Sequence, residues 1–244
     1  MTIAPVLGSN HTLLAFNQNY SSWSLRPIIF IRKHKLPIKI VSYNLIGSEA
    51  VKAKVPTALL PALEMEVAGK SVIIPDSLAI LETLADLFPV QVWPQDALLR
   101  AKARTIAAEM HSGFSNLRND MTCNLRARYT PTPKWSDATA ANIHRILTIW
   151  QTARAEASQL PNDDGWLFGS FTAADAMYFP IVTRFLTYRV EIDETKFPLA
   201  KAYFDRVLRD DTVREMYEIA YNEEAVVDRY EGVYPGQTKE KLVV

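Results

Sequence analysis

The apolar pattern of this chain changes once, between residues 89 and 96, and that change constrains the fold more than any other feature. Before it, short apolar runs alternate with helical stretches. Residues 12–16 read as a buried strand, 23–35 as a helix, 38–43 as a second strand and 47–54 as one or two helical turns. Two further runs, 63–67 and 71–74, flank Ala68-Gly69-Lys70, a hairpin signature. Residues 76–88 form a helix capped at its start and stopped before Pro89. After Pro94 strands are hard to find. Residues 96–119 read as one long helix with Ile106, Met110, Phe114 and Leu117 on a single stripe. Thr130-Pro131-Thr132-Pro133 breaks the pattern, and 136–160 follows with Ile143, Ile146, Leu147 and Trp150 spaced for burial. Further helices are expected at 172–188, 195–208 and 211–220. The pattern predicts an N-terminal extension (1–10), an α/β domain (11–89), an all-helical domain (96–231) and a loose polar tail (232–244).

Charge and cysteine usage narrow the function classes. Lys+Arg and Asp+Glu both number 27, so no net field favours nucleic acid or acidic membranes as partners. No apolar run approaches the roughly 18 residues that span a bilayer. The start, Met1-Thr2-Ile3-Ala4-Pro5, has no secretory leader pattern. Cys123 is the sole cysteine, which rules out an internal disulfide and fits a reducing cytoplasm. The four histidines, His11, His34, His111 and His144, lack metal-ligand spacing, so metal chemistry is not expected.

Four local motifs carry chemistry. Tyr20-Ser21-Ser22-Trp23-Ser24-Leu25-Arg26-Pro27 joins the first strand to the first helix, with hydroxyls and free N–H groups at a helix N-terminus. Such a junction serves as a cap or as a holder of an anion or thiolate. Leu60-Pro61 enters the third strand, and a cis bond there would turn the Leu60 backbone outward as a strand edge; a trans surface proline is the alternative. Asp76-Ser77 opens a helix, as a cap or as a receiver of a ligand ammonium and carboxylate together. Thr172-Ala173-Ala174-Asp175 is a capping box, with Phe168 and Phe171 as an adjoining staple. Arg118, Arg126 and Arg128 cluster near Cys123, as a solvated helix end or as a mouth for anions. Cys123 itself reads as a small buried hydrophobe.

In this order and spacing the motifs resemble a cytosolic glutathione transferase, with the junction similar to that of bacterial serine-type and zeta-like members. The resemblance covers roughly residues 11 to 220. It implies a thioredoxin-like N-terminal domain followed by an all-α one, with glutathione as co-substrate and no metal. Val55-Pro56-Thr57-Ala58-Leu59-Leu60-Pro61-Ala62-Leu63 matches the segment ending in the family's cis-proline, and Pro75-Asp76-Ser77-Leu78 matches its γ-glutamyl turn. Carried over, Ser21 is the hydroxyl that meets the glutathione sulfur, with Ser22 as the near alternative. Trp23 stands where zeta members usually carry a cysteine and is expected among the glutathione-binding residues. Leu60, held by Pro61, offers its backbone to the cysteinyl unit, and Asp76 and Ser77 take the γ-glutamyl end. The lysine often found before the cis-proline segment is replaced by Ala58-Leu59, so a contact to the glycyl carboxylate must come from elsewhere. Met110, His111, Phe114 and Arg118 are the residues expected to line an electrophile pocket between the domains.

The energetics are consistent with a serine. Lowering a thiol pKa of about 8.5 by two units requires roughly 2.7 kcal/mol of preference for the anion. One charge-assisted hydrogen bond supplies about 1.5–3 kcal/mol and a helix N-terminus about 0.3–1, so no general base is needed. Conjugation to a hydrophobic electrophile is the expected reaction. A glutathione-dependent cis–trans isomerase of maleyl-type acids and a non-catalytic ligand-binding scaffold are the alternatives. The resemblance also implies a homodimer.

Overall fold

The computed structural model describes residues 11–44, 48–67, 70–231 and 238–241. The expected extension 1–10, the start of the 47–54 segment, the Ala68-Gly69 turn and most of the tail lie outside the described residues. The first unit is a sheet in the order β2-β1-β3-β4, built from β1 (His11–Phe16), β2 (Ile38–Tyr43), β3 (Ala62–Val67) and β4 (Lys70–Pro75). β1 and β2 run parallel, so a crossover is required, and α1 (Ser22–Lys33) supplies it. β3 is antiparallel to β1 and β4. Helices α2 (Glu49–Lys52) and α3 (Ser77–Leu87) complete the unit. Leu13, Leu14 and Ala15 are all buried because β1 is central and covered on both faces. Pro27 lies past the first turn of α1, deeper than the sequence suggests, and removes the bond that would reach Trp23 C=O.

The second unit contains α4 (Ala97–Ser112), α5 (Ser115–Asp120), α6 (Asp137–Ala157), α7 (Ala173–Thr187), α8 (Pro198–Leu208) and α9 (Asp211–Tyr221). The structure differs from expectation at one helix and in the tail. The single helix over 96–119 is two helices, α4 and α5, which Gly113 and Phe114 separate. A Cβ at Gly113 would sit 2.6 Å from the Glu109 carbonyl oxygen, and Phe114 adopts the left-handed region at φ 59°. The unit is helical, as expected, apart from one short two-stranded ribbon. β5 (Ala127–Thr130) pairs antiparallel with β6 (Thr238–Lys241), so part of the tail expected to be loose is a strand. Ala127–Thr130 alternates only at the lower limit of strand length and runs straight into the Pro131-Thr132-Pro133 breaker.

The capping box on α7 forms: Asp175 accepts hydrogen bonds from the Thr172 N–H (2.9 Å) and hydroxyl (3.1 Å) and from the Leu167 N–H (2.9 Å). One continuous core runs through both units, from Leu13 and Phe30 to Trp150 and Phe185. A smaller cluster, Leu14, Phe16, Tyr20, Val51, Val55, Leu60 and Ala62, lies under α2, and Val227 and Tyr230 pack onto it from the C-terminal side. No helix among the described residues is long and apolar enough to cross a membrane.

Candidate functional site

A cleft of about 670 Å³ opens between the units, and the termini of α1, β3 and α3 all face it. At the α1 start, Ser21 is the N-cap and its Oγ accepts the Ser24 N–H at 3.1 Å. The Ser21 and Ser24 hydroxyls lie 2.9 Å apart, and Ser24 Oγ in turn accepts the Phe16 N–H at 3.0 Å. Either hydroxyl can rotate to donate across that contact. Ser22, the first residue of α1, also lines the cleft.

The Leu60–Pro61 bond is cis, and the Leu60 N–H and C=O have no backbone partner among the described residues. An extended peptide could pair there as an added strand. Beside it, the Asp76 N–H donates to Pro61 C=O at 3.4 Å. Asp76 holds φ 97°, a conformation rare outside glycine, and its Oδ1 caps α3 by accepting the Leu78 and Ala79 N–H groups at 2.8 and 3.0 Å. Its Oδ2 meets His111 Nε2 at 3.2 Å. Ser77 accepts a hydrogen bond from Arg26 Nη1 at 3.1 Å.

The cleft is electropositive. The Arg26 guanidinium lies 4.2 Å from the Trp23 ring centroid and that of Arg118 5.5 Å from it, while the His111 ring sits edge-on at 5.3 Å. Burial, and then the Arg118 and Arg184 charges, push Arg26 down to about 9, which still leaves it charged at neutral pH. Burial and Arg184 likewise lower Arg118. Arg184 lines the cleft and is itself held by the Met121 and Pro180 carbonyls at 2.7 and 3.0 Å.

Of the residues expected in an electrophile pocket, the structure brings only Arg118 to the cleft wall. Met110 and Phe114 are buried in the core. His111 instead braces Asp76 and Trp23. The arginine cluster disperses: Arg126 turns away to donate to Tyr20 Oη at 2.6 Å and to Glu231 at 3.4 Å. Cys123 is buried on the cleft wall, where burial pushes its thiol up. Sequence reasoning missed Thr122, Arg184, Arg229 and Tyr230, which also line the cleft and come from three distant segments. It also missed Ser24, whose only signal was its place as the third serine of the junction.

Residues 16–93 match the family model for the glutathione S-transferase N-terminal domain, and residues 133–206 match that for the C-terminal domain. Among solved structures, the chain is similar to a maleylacetoacetate isomerase from Anaeromyxobacter dehalogenans 2CP-1 with dicarboxyethyl glutathione and citrate bound in the active site. The TM-score is 0.63 at 20% identity, over 93% of this chain and 99% of that one. It is also similar to a Burkholderia glutathione transferase homolog with bound glutathione, with TM-score 0.60 and 18% identity over 88% of this chain and 100% of the other. A bacterial maleyl pyruvate isomerase of the zeta class aligns with TM-score 0.58 and 23% identity over 88% of this chain and 100% of its own. No curated protein matches the sequence. At these identities the likeness to solved structures is one of fold.

Proposed function

The chain belongs to the glutathione S-transferase family, and from that premise we propose that its cleft binds glutathione as the thiolate and adds it to an electrophile. One observation carries the reading: a free Leu60 strand edge, the Asp76-Ser77 helix start and the Ser21/Ser22 hydroxyls all face a single cleft. These three features complement a short peptide with an ammonium, a carboxylate and a thiol. Asp76 Oδ2 receives the γ-glutamyl ammonium, and Ser77 with the α3 N-terminus receives its carboxylate. The Leu60 backbone pairs with the cysteinyl unit. The Ser21 hydroxyl, which donates to Ser24 Oγ at 2.9 Å, turns from it to donate to the sulfur. Arg26, Arg118 and Arg184 add a positive field that favours the thiolate.

A second reading keeps the same thiolate but makes the reaction an isomerisation of maleyl-type acids, in which the sulfur adds and leaves again. Arg118 and Arg184 on the cleft wall favour it, since a carboxylate-bearing electrophile requires cationic partners. We further propose a homodimer in the cytoplasm with a detoxifying role. Sedimentation and cell fractionation test the first two, and electrophile sensitivity of cells lacking the protein tests the third.

The direct experiment is calorimetric titration with glutathione, followed by turnover of an aryl halide and of maleylacetone. Binding with conjugation of the aryl halide supports the transferase; turnover of maleylacetone alone supports the isomerase. Binding with turnover of neither would favour a scaffold, and no binding would sink all three.

A further inference from the structure

We infer that Arg229, carried back to the cleft by the C-terminal segment, is the residue that holds the glycyl carboxylate of glutathione. The inference rests on the glutathione reading above and follows from chain direction. Asp76, which takes the γ-glutamyl end, sits beside Pro61 through its N–H bond to the Pro61 carbonyl. A peptide paired antiparallel with Leu60 and starting beside Pro61 must run its other end back toward Thr57 and Leu59. The glycyl carboxylate therefore arrives where this chain carries Thr57-Ala58-Leu59, with no basic residue among them. The lysines nearest in sequence are occupied: Lys52 pairs with Glu49 at 2.8 Å and Lys54 with Glu64 at 3.6 Å.

The C-terminal segment supplies a cation on that side. Beyond α9, Glu223 accepts the Gln18 N–H at 3.2 Å, and Val227 and Tyr230 pack on the cluster that contains Val55 and Leu60. Tyr230 stacks on Tyr20 with centroids 5.5 Å apart, and the Tyr20 hydroxyl donates to Glu231. The Arg229 guanidinium lies 4.4 Å from the Tyr230 centroid and donates to the Tyr230 hydroxyl. Arg126, Tyr20, Tyr230 and Arg229 thus form a layered stack that ends at the cleft. Arg229 is exposed, lines the cleft with Thr57, Leu59 and Leu60, and makes no ion pair among the described residues. Arg118 instead lies against Trp23, whose ring meets His111, the partner of Asp76.

Calorimetry of wild type and Arg229→Gln with glutathione and with its glycyl monoethyl ester tests this. The ester lacks only the charge that Arg229 is held to read. Wild type should bind glutathione about three- to tenfold more tightly than the ester, the range of a partly exposed ion pair. Arg229→Gln should abolish that preference by weakening glutathione alone, and Arg229→Lys should restore part of it. If Arg229→Gln keeps the wild-type preference, the assignment to Arg229 is wrong while the glutathione site stands. If wild type binds neither compound, the glutathione reading itself fails.

Discussion

At the residue scale the junction serines have separable jobs. Ser21 Oγ accepts the Ser24 N–H as the α1 cap and faces the Ser24 hydroxyl, which is itself fixed by the Phe16 N–H. The Ser21 hydroxyl donates to that fixed Ser24 Oγ while accepting the Ser24 N–H, which orients it. Ser22 lines the same cleft without such support. We therefore expect Ser21→Ala to have two effects: a stability loss of about 1 kcal/mol from the missing cap, and a rise in the bound thiol pKa of about one unit or more, since one charge-assisted hydrogen bond is removed. Ser22→Ala should leave stability within about 0.5 kcal/mol and move the thiol less. Urea unfolding and a pH titration of thiolate absorbance in the glutathione complex read both quantities. A Ser22→Ala variant whose thiol shifts more than that of Ser21→Ala would reverse the assignment.

At the scale of single elements, the α7 capping box ties stability to pH. Asp175 is fully buried, and burial pushes its carboxyl up to about 6, against the opposing pull of the Leu167 and Thr172 donors. Its unfolded value is about 3.9. The folded state thus holds the proton more tightly, so this contribution to stability is fully present below about pH 4 and is lost as pH rises through 6. Two pKa units correspond to roughly 3 kcal/mol. Asp175→Asn keeps an acceptor but does not titrate, so wild type should lose stability relative to the variant between about pH 4 and 6. A wild-type-minus-variant difference that stays flat across that window would refute the titration. The box was legible in sequence, as were the Leu60-Pro61 turn and the Asp76-Ser77 cap, because caps and turns are settled by neighbouring residues. The α4–α5 break was not. Its apolar stripe continues through Gly113, and the left-handed Phe114 that ends it is imposed by tertiary packing. On the far side of the cleft from these motifs the wall was legible only at Arg118, since Thr122, Arg184 and Arg229 meet through packing rather than through spacing.

At the scale of the whole molecule, the two units depend on one another. The apolar face of α1 is covered from the helical side, with Phe30 against Phe171 at 6.1 Å and one core cluster spanning both units. Ion pairs from Arg32 to Glu215 and from Lys33 to Asp210 reinforce the same seam. Separated, the first unit would expose Ile28, Phe30 and Ile31, each of which costs on the order of 1.5–3 kcal/mol when moved into water. That sum is a large part of the 5–15 kcal/mol that holds an ordinary protein folded. Urea unfolding should therefore be a single transition, with tryptophan fluorescence and far-ultraviolet circular dichroism coincident. The cleft takes Ser21, Leu60 and Asp76 from one unit and Arg118 and Arg184 from the other, so a ligand there stabilises both together. Glutathione at a hundred times its Kd should add about 2.7 kcal/mol and shift the whole transition without splitting it. Two resolved transitions, with only the first moved by glutathione, would mean that the units fold separately and that the second contributes nothing to holding the ligand.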